Sequence, residues 1–210
     1  MKVRSPERVL RRSPVTHRAA LWVVLLIWLP YTLYFALDPG GAFGDGLGFL
    51  PGVLGAGALL AAGFRLEDCY LRGAPLSRSG LAVLAAVTLL LIPILLPGNW
   101  VGWSALGVFL YAPMSGVSQE LYFRSSLLPA LLKMFGDRTA VALVAHSVLF
   151  SFWHLDMFLQ MPLPVAVMAF VVLFLIGMGW GWQTKRDGTV IWAMIQHSLF
   201  LMIMTLFGLA

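Results

Sequence analysis

The chain has 210 residues, 60% of them hydrophobic and only 11% charged, with a mean hydropathy of +0.88. That apolar share exceeds the roughly half found in soluble globular domains, which points to a polytopic membrane protein. The formal charge of +5 does not mark a nucleic-acid binder, because Lys and Arg sit in short clusters between apolar blocks. The lone cysteine, Cys69, excludes both an internal disulfide framework and a metal-binding thiol cluster.

Apolar blocks near the roughly 20 residues needed to cross a bilayer recur along the chain. In order they are Ala19–Ala36, Leu47–Phe64, Ser79–Leu96, Trp103–Met134, Thr139–Trp153, Leu163–Gln183 and Thr189–Phe207, so the expected fold is an all-α transmembrane helix bundle of about seven spans. The fourth is too long for one straight span and is expected to kink or break near Pro113 and Gly116. Short connections such as Asp38-Pro39-Gly40-Gly41 and Pro97-Gly98-Asn99 are turn punctuation. The expected organisation is a basic tail over 1–18, amino-terminal spans over 19–102 and a functional bundle over 103–210.

Orientation follows from the basic residues. Lys2, Arg4, Arg8, Arg11, Arg12 and Arg18 precede the first span, Arg65, Arg72 and Arg78 follow the second, Lys133 and Arg138 the fourth, and Lys185 and Arg186 the sixth. The alternate connections carry Asp38, Asp45 and Asp156 instead, so the amino terminus is expected in the cytoplasm and the carboxy terminus outside. The first block lacks a cleavage site and is taken as an uncleaved span, with Arg11-Arg12 anchoring it. Trp22, Trp28, Tyr31, Tyr34, Trp100, Trp103, Trp180 and Trp182 lie mainly near span ends, as interfacial aromatic belts do. Gly177-x-Gly179-x-Gly181 lies within an apolar span and predicts close helix packing.

Three polar stations interrupt the later spans. Glu120 and Arg124, spaced i, i+4, share a helix face, while Gln119 points about 100° away from Glu120. A charge at bilayer depth costs at least roughly 2.5 kcal/mol, so the pair must neutralise itself or line a wet cavity. The second station carries His146, Ser147, Phe150 and His154 on one helix, and the third is Gln196-His197-Ser198 in the last span. Each station has a bland alternative in a structural ion pair or interhelical hydrogen bonds. Ser147 and His154 are two turns apart on one helix, about 10 Å along the axis, so they form no nucleophile–base pair.

The run Ala112-Pro113, Gln119-Glu120-Leu121-Tyr122-Phe123-Arg124, Leu128-Pro129, then Ser147-x-x-Phe150-x-x-x-His154, then His197 in a final helix, resembles the CAAX-processing and bacteriocin-processing family (CPBP, or Abi) of intramembrane endopeptidases. The resemblance covers roughly Trp103 to Phe207. It implies Glu120, His154 and His197 as catalytic residues, with Arg124, Phe150, Gln119 and His146 in support. Two positions depart from the family pattern. Gln119 stands where the family has the first Glu of Glu-Glu-x-x-x-Arg, and Leu201 stands where it has the Asn or Asp of His-x-x-x-Asn. An amide cannot act as a general base and a leucine offers no donor.

The implied activity is cleavage of a membrane-associated protein or peptide by activated water, without a cofactor, in a bacterial cytoplasmic membrane. In that mechanism His154 and Glu120 polarise the water, His197 stabilises the tetrahedral oxyanion, and Gln119 adds a hydrogen bond to it. The alternative is an impaired member acting as a binding or immunity protein in the membrane. A zinc site built from Glu120, His154 and His197 is a further, weaker alternative, because no His-Glu-x-x-His helix motif is present.

Overall fold

The computed structural model describes residues 17–37, 50–72, 81–82, 85, 107–136 and 138–206. Among them there is no strand. Helix α1 (His17–Leu37) and α2 (Leu50–Ala61) precede a long helical segment, which begins with a π-helical turn (Gly107–Tyr111) and continues as α3 (Ala112–Tyr122), a second π turn (Phe123–Leu127) and α4 (Leu128–Met134). Then come α5 (Thr139–Phe152), the short α6 (Leu155–Leu159), α7 (Leu163–Asp187) and α8 (Ile191–Leu206). The expected third span, Ser79–Leu96, falls largely outside the described residues, as do Trp100 and Trp103.

The fourth block differs from expectation. It stays helical through Pro113 and Gly116, with right-handed backbone angles at each junction, and its irregularities are the two π turns. Pro113 lacks an N–H to bond the preceding turn, which accounts for the first one. The second has no proline or glycine within it and falls on Arg124.

Of the described helices, α7 is the one long and apolar enough to cross a bilayer by itself, with a mean hydropathy of 2.4 over its best window. It ends at Gly188, whose φ of 69° provides the left-handed cap. Helices α1, α2, α5 and α8 are shorter apolar segments.

Small residues let the helices approach closely, which is how apolar helices associate without a hydrophobic force between them. A Cβ on Gly55 would lie 2.8 Å from Ser126 Oγ, one on Gly177 3.1 Å from Ser147 Cβ, and one on Gly181 2.9 Å from Leu143 Cδ2. Gly179 faces open space, so the packing surface of α7 is Gly177 and Gly181 rather than all three glycines. Phe123 sits at the centre of the core, edge-on to Tyr122, Phe150 and Trp153 at 5.0–5.3 Å. Helix α1 is fastened over this cluster: Tyr122 donates to Val24 O at 2.8 Å, Trp28 Nε1 to Leu149 O at 3.2 Å, and Tyr31 stacks on Trp153.

Candidate active site

Glu120 lies on the last turn of α3 and Arg124 in the π turn that follows, one helical turn apart. Arg124 Nη1 donates to Glu120 Oε1 at 2.9 Å, and both side chains are wholly buried. The guanidinium carbon is 4.3 Å from the centre of the Phe150 ring and 5.4 Å from that of Trp180, so cation–π contact from α5 and α7 supplements the carboxylate. Two observations explain how a charge is held at this depth: a bonded counter-ion and aromatic faces on either side.

The same carboxylate oxygen takes a second bond. His197 Nδ1 approaches Glu120 Oε1 at 2.7 Å, joining α8 to α3 across 77 residues of sequence. Gly116 makes this possible, because a Cβ there would lie 2.8 Å from Ser198 N. Ser198 Oγ also donates to Pro113 O at 3.2 Å. The imidazole of His197 is tilted 34° against Trp180 with ring centres 5.0 Å apart.

His154 follows the last turn of α5. Its side chain leans back toward the amino end of the helix, bringing Nδ1 to 3.0 Å from Phe150 O. Its ring is edge-on to Phe150 at 5.1 Å, and Phe150 in turn is edge-on to His197 at 6.4 Å. Phe150 is therefore the wall between the two imidazoles. His154 lies within electrostatic range of both His197 and Arg124. It is half-buried, whereas Glu120 is wholly buried and His197 is 4% exposed.

Hydrogen-bond chemistry fixes which nitrogen does what. Facing a carbonyl oxygen, His154 Nδ1 carries the proton and Nε2 keeps the lone pair; facing a carboxylate, His197 Nδ1 likewise donates, and its Nε2 becomes a donor only in the imidazolium. Glu120 Oε2 has no hydrogen-bond partner among the described residues.

The structure thus gathers Glu120, Arg124, Phe150 and His197, with His154 alongside. It does not gather Gln119 and His146 with them. Gln119 Nε2 donates to Ser115 Oγ at 3.2 Å on its own helix, away from Glu120, as the 100° offset requires. The expected Gln119 bond to the oxyanion is not set up by this geometry. His146 lies two turns, about 12 Å, from His154 along α5, with its ring edge-on to Phe123 and Nδ1 3.3 Å from where a Gly181 Cβ would be. It belongs to a lower tier of wholly buried polar side chains, with Ser125, Gln183 and Gln196, whose terminal atoms have no protein hydrogen bond among the described residues. Leu201 is half-buried on α8 and supplies no donor.

One sequence expectation needs correcting. Trp180 was placed in an interfacial belt, but it is 6% exposed and packs on His197 and Arg124. Its spacing from Gly177, Gly181 and Thr184, all on the inward face of α7, was the available signal. Among the described residues no three His, Cys, Asp or Glu side chains come together as a metal-ligand group. His197 Nδ1 is turned to Glu120 and His154 Nδ1 to a backbone carbonyl, with the Phe150 ring between the imidazoles.

The described residues form a helical bundle of membrane composition, with a buried carboxylate shared by a guanidinium and an imidazole and a second histidine beside them. Residues 100–203 match the family model described as Rce1-like, type II CAAX prenyl endopeptidase Rce1-like, and over this stretch the chain is similar to that family. No curated protein and no solved structure matches the chain. The family's type of activity is that of a CAAX protease of the membrane, a hydrolase of peptide bonds.

Proposed function

We propose that the chain is an intramembrane endopeptidase that cleaves a membrane-associated protein or peptide by direct attack of water. The observation that carries this reading is the buried carboxylate oxygen of Glu120 bonded to both Arg124 and His197. With Arg124 charged, Glu120 ionised and His197 protonated, the three groups sum to one positive charge. An oxyanion developing beside His197 Nε2–H brings that sum to zero, so the cluster is complementary to the transition state rather than to the neutral peptide.

His154 is the water-activating base. Its Nδ1 proton is committed to Phe150 O, which leaves the Nε2 lone pair to take a proton as the water oxygen bonds to the carbonyl carbon. The oxyanion forms against His197. When the intermediate collapses, the C–N bond breaks and the proton on His154 passes to the departing amine. Glu120 is a positioning residue that holds His197 and stabilises its charge, and Arg124 holds Glu120.

The test is peptide-bond cleavage by the purified protein, and comparison of protein amino termini in membranes of wild-type and Glu120→Ala cells supplies the substrates. Removing an oxyanion donor costs about 10²–10³ in rate, which is the expected loss in His197→Ala. Loss of the base in His154→Ala should cost about 10²–10⁴. Unchanged turnover in both variants would refute the assignment.

A second reading is favoured by one specific observation. Gln119 is turned to Ser115 and Leu201 offers no donor, so both departures from the family pattern remove polar chemistry from the site. On that reading the chain binds a membrane protein without cutting it, and Gln119→Glu combined with Leu201→Asn creates proteolysis where the parent has none.

A further inference from the structure

Ten side-chain nitrogen and oxygen atoms on Arg124, Ser125, His146, Gln183, Thr184 and Gln196 have no hydrogen-bond partner among the described residues, and none of the six residues is more than 1% exposed. They come from four elements: the second π turn, α5, α7 and α8. These elements meet around Trp180 and Gly181. The Arg124 guanidinium carbon is 5.4 Å from the centre of the Trp180 ring, and Gln183 and Thr184 follow Trp180 by one helical turn. A Cβ on Gly181 would lie 3.3 Å from His146 Nδ1, which sets His146 against the same stretch of α7, and the Arg124 charge acts on His146. Gln196 immediately precedes His197, whose ring centre is 5.0 Å from that of Trp180.

Left unmade, these bonds would together outweigh the stability of a folded domain, because each buried unpaired group suffers its full desolvation. Something must therefore bond them, and the mixture of donors and acceptors selects what does. Arg124 Nε and Nη2 only donate, Gln183 Oε1 and Gln196 Oε1 only accept, and a neutral His146 has one nitrogen of each kind. An anion there would face the amide oxygens and Glu120 Oε2, which also has no partner among the described residues. A cation would face the guanidinium. A small neutral molecule that both donates and accepts meets every one of these atoms, and water is that molecule.

We propose that His146, Gln183, Thr184 and Gln196 hold a cluster of internal water molecules against the guanidinium of Arg124. At about three hydrogen bonds per water, roughly three waters satisfy the ten atoms. The cluster bonds Nε and Nη2, the donors that Glu120 does not take, while Nη1 keeps its 2.9 Å bond to the carboxylate. His146, Gln183 and Gln196 are thereby positioning residues: through water they fix Arg124, which holds Glu120, which holds His197. The water site stands without the proteolytic reading, and only its effect on cleavage rests on that reading.

Solid-state NMR of the full chain in lipid bilayers, with magnetisation transferred from water protons to nitrogen-15 in His, Gln and Arg side chains, tests this without requiring activity. The reference is the backbone amides of Leu128 and Leu132, which are wholly buried in the same bundle. Transfer to the ring of His146, to the amides of Gln183 and Gln196 and to Arg124 Nε should be several times faster than to those amides. Loss of the matching signal in His146→Phe, Gln183→Leu and Gln196→Leu identifies each one, and correlation of side chain with backbone in the parent does so where a variant fails to fold. In Gln183→Leu/Gln196→Leu, Arg124 Nε should lose its fast transfer, and kcat for cleavage should fall with KM unchanged. Transfer to all four residues as slow as to Leu128 and Leu132, because the side chains pair with one another or with another segment of the chain, overturns the proposal. So does fast transfer to the glutamines that leaves out His146 and Arg124, since the waters would then form no common cluster. Fast transfer in a chain that cleaves nothing keeps the water site and overturns the proteolytic reading.

Discussion

Breaking the Glu120–Arg124 pair from one side should be far worse than removing it whole. Both side chains are wholly buried, and Nη1 and Oε1 are 2.9 Å apart. In Glu120→Leu the guanidinium, whose Nε and Nη2 already have no partner among the described residues, loses its carboxylate and keeps the Phe123, Phe150 and Trp180 faces. A buried charge left alone costs about 3–5 kcal/mol, which is roughly two to four decades in the folded fraction. Arg124→Met should cost less, because Glu120 retains its 2.7 Å bond to His197. Glu120→Leu/Arg124→Met removes both charges at similar volume and should lie near the parent in stability, since apolar replacement of a buried pair is often neutral. The assay is reversible unfolding of the four proteins in one lipid–detergent mixture, analysed as a double-mutant cycle. Additive losses, with a coupling near zero, would refute the idea that these groups stabilise one another. Cleavage should be lost in all three variants, which separates the stabilising role from the functional one.

Gly116→Ala places a methyl group 2.8 Å from Ser198 N, where backbone must shift, so a loss of about 1–3 kcal/mol and reduced cleavage are expected. Gly179→Ala meets nothing within 4 Å and should gain about 0.5–1 kcal/mol from helix propensity with activity unchanged, so equal behaviour of the two would argue against close α3–α8 contact as the constraint. Tyr122→Phe removes the 2.8 Å bond to Val24 O and should cost about 0.5–1.5 kcal/mol, measurable as earlier thermal release of α1 to protease. Asp68, outside the spans, has its carboxyl raised by burial, only partly offset by its bond from Arg65 N. Because the folded state binds that proton more tightly than the unfolded chain, its contribution to stability falls as pH rises from the ordinary carboxylate value through the raised one. Asp68→Asn should flatten that part of the stability–pH curve, and an unaltered slope would count against a buried ionised Asp68.

How much of this was legible beforehand differs from residue to residue. Spacing alone put Glu120 and Arg124 on one face and turned Gln119 from it, because those facts depend only on the helical repeat. The same local logic marked Gly177, Gly179 and Gly181 for close packing, but it did not separate Gly179, which faces open space, from the other two. Hydropathy placed the described helices to within a few residues, because an apolar run is a property of local composition whatever it packs against. It could not foresee the π turn at Phe123–Leu127, whose sequence carries no helix breaker.

What the chain determined by itself was the set of apolar helices, their order along the sequence and the polar positions each presents, since all of these follow from local composition and periodicity. Which oxygen of Glu120 is shared, that His197 rather than His154 claims it, and that Trp180 leaves the interface for the site were decided only by the tertiary structure. Those outcomes depend on how closely α3, α7 and α8 approach one another, and that distance is set by pairs such as Gly116 and Ser198, far apart in sequence and adjacent only once folded.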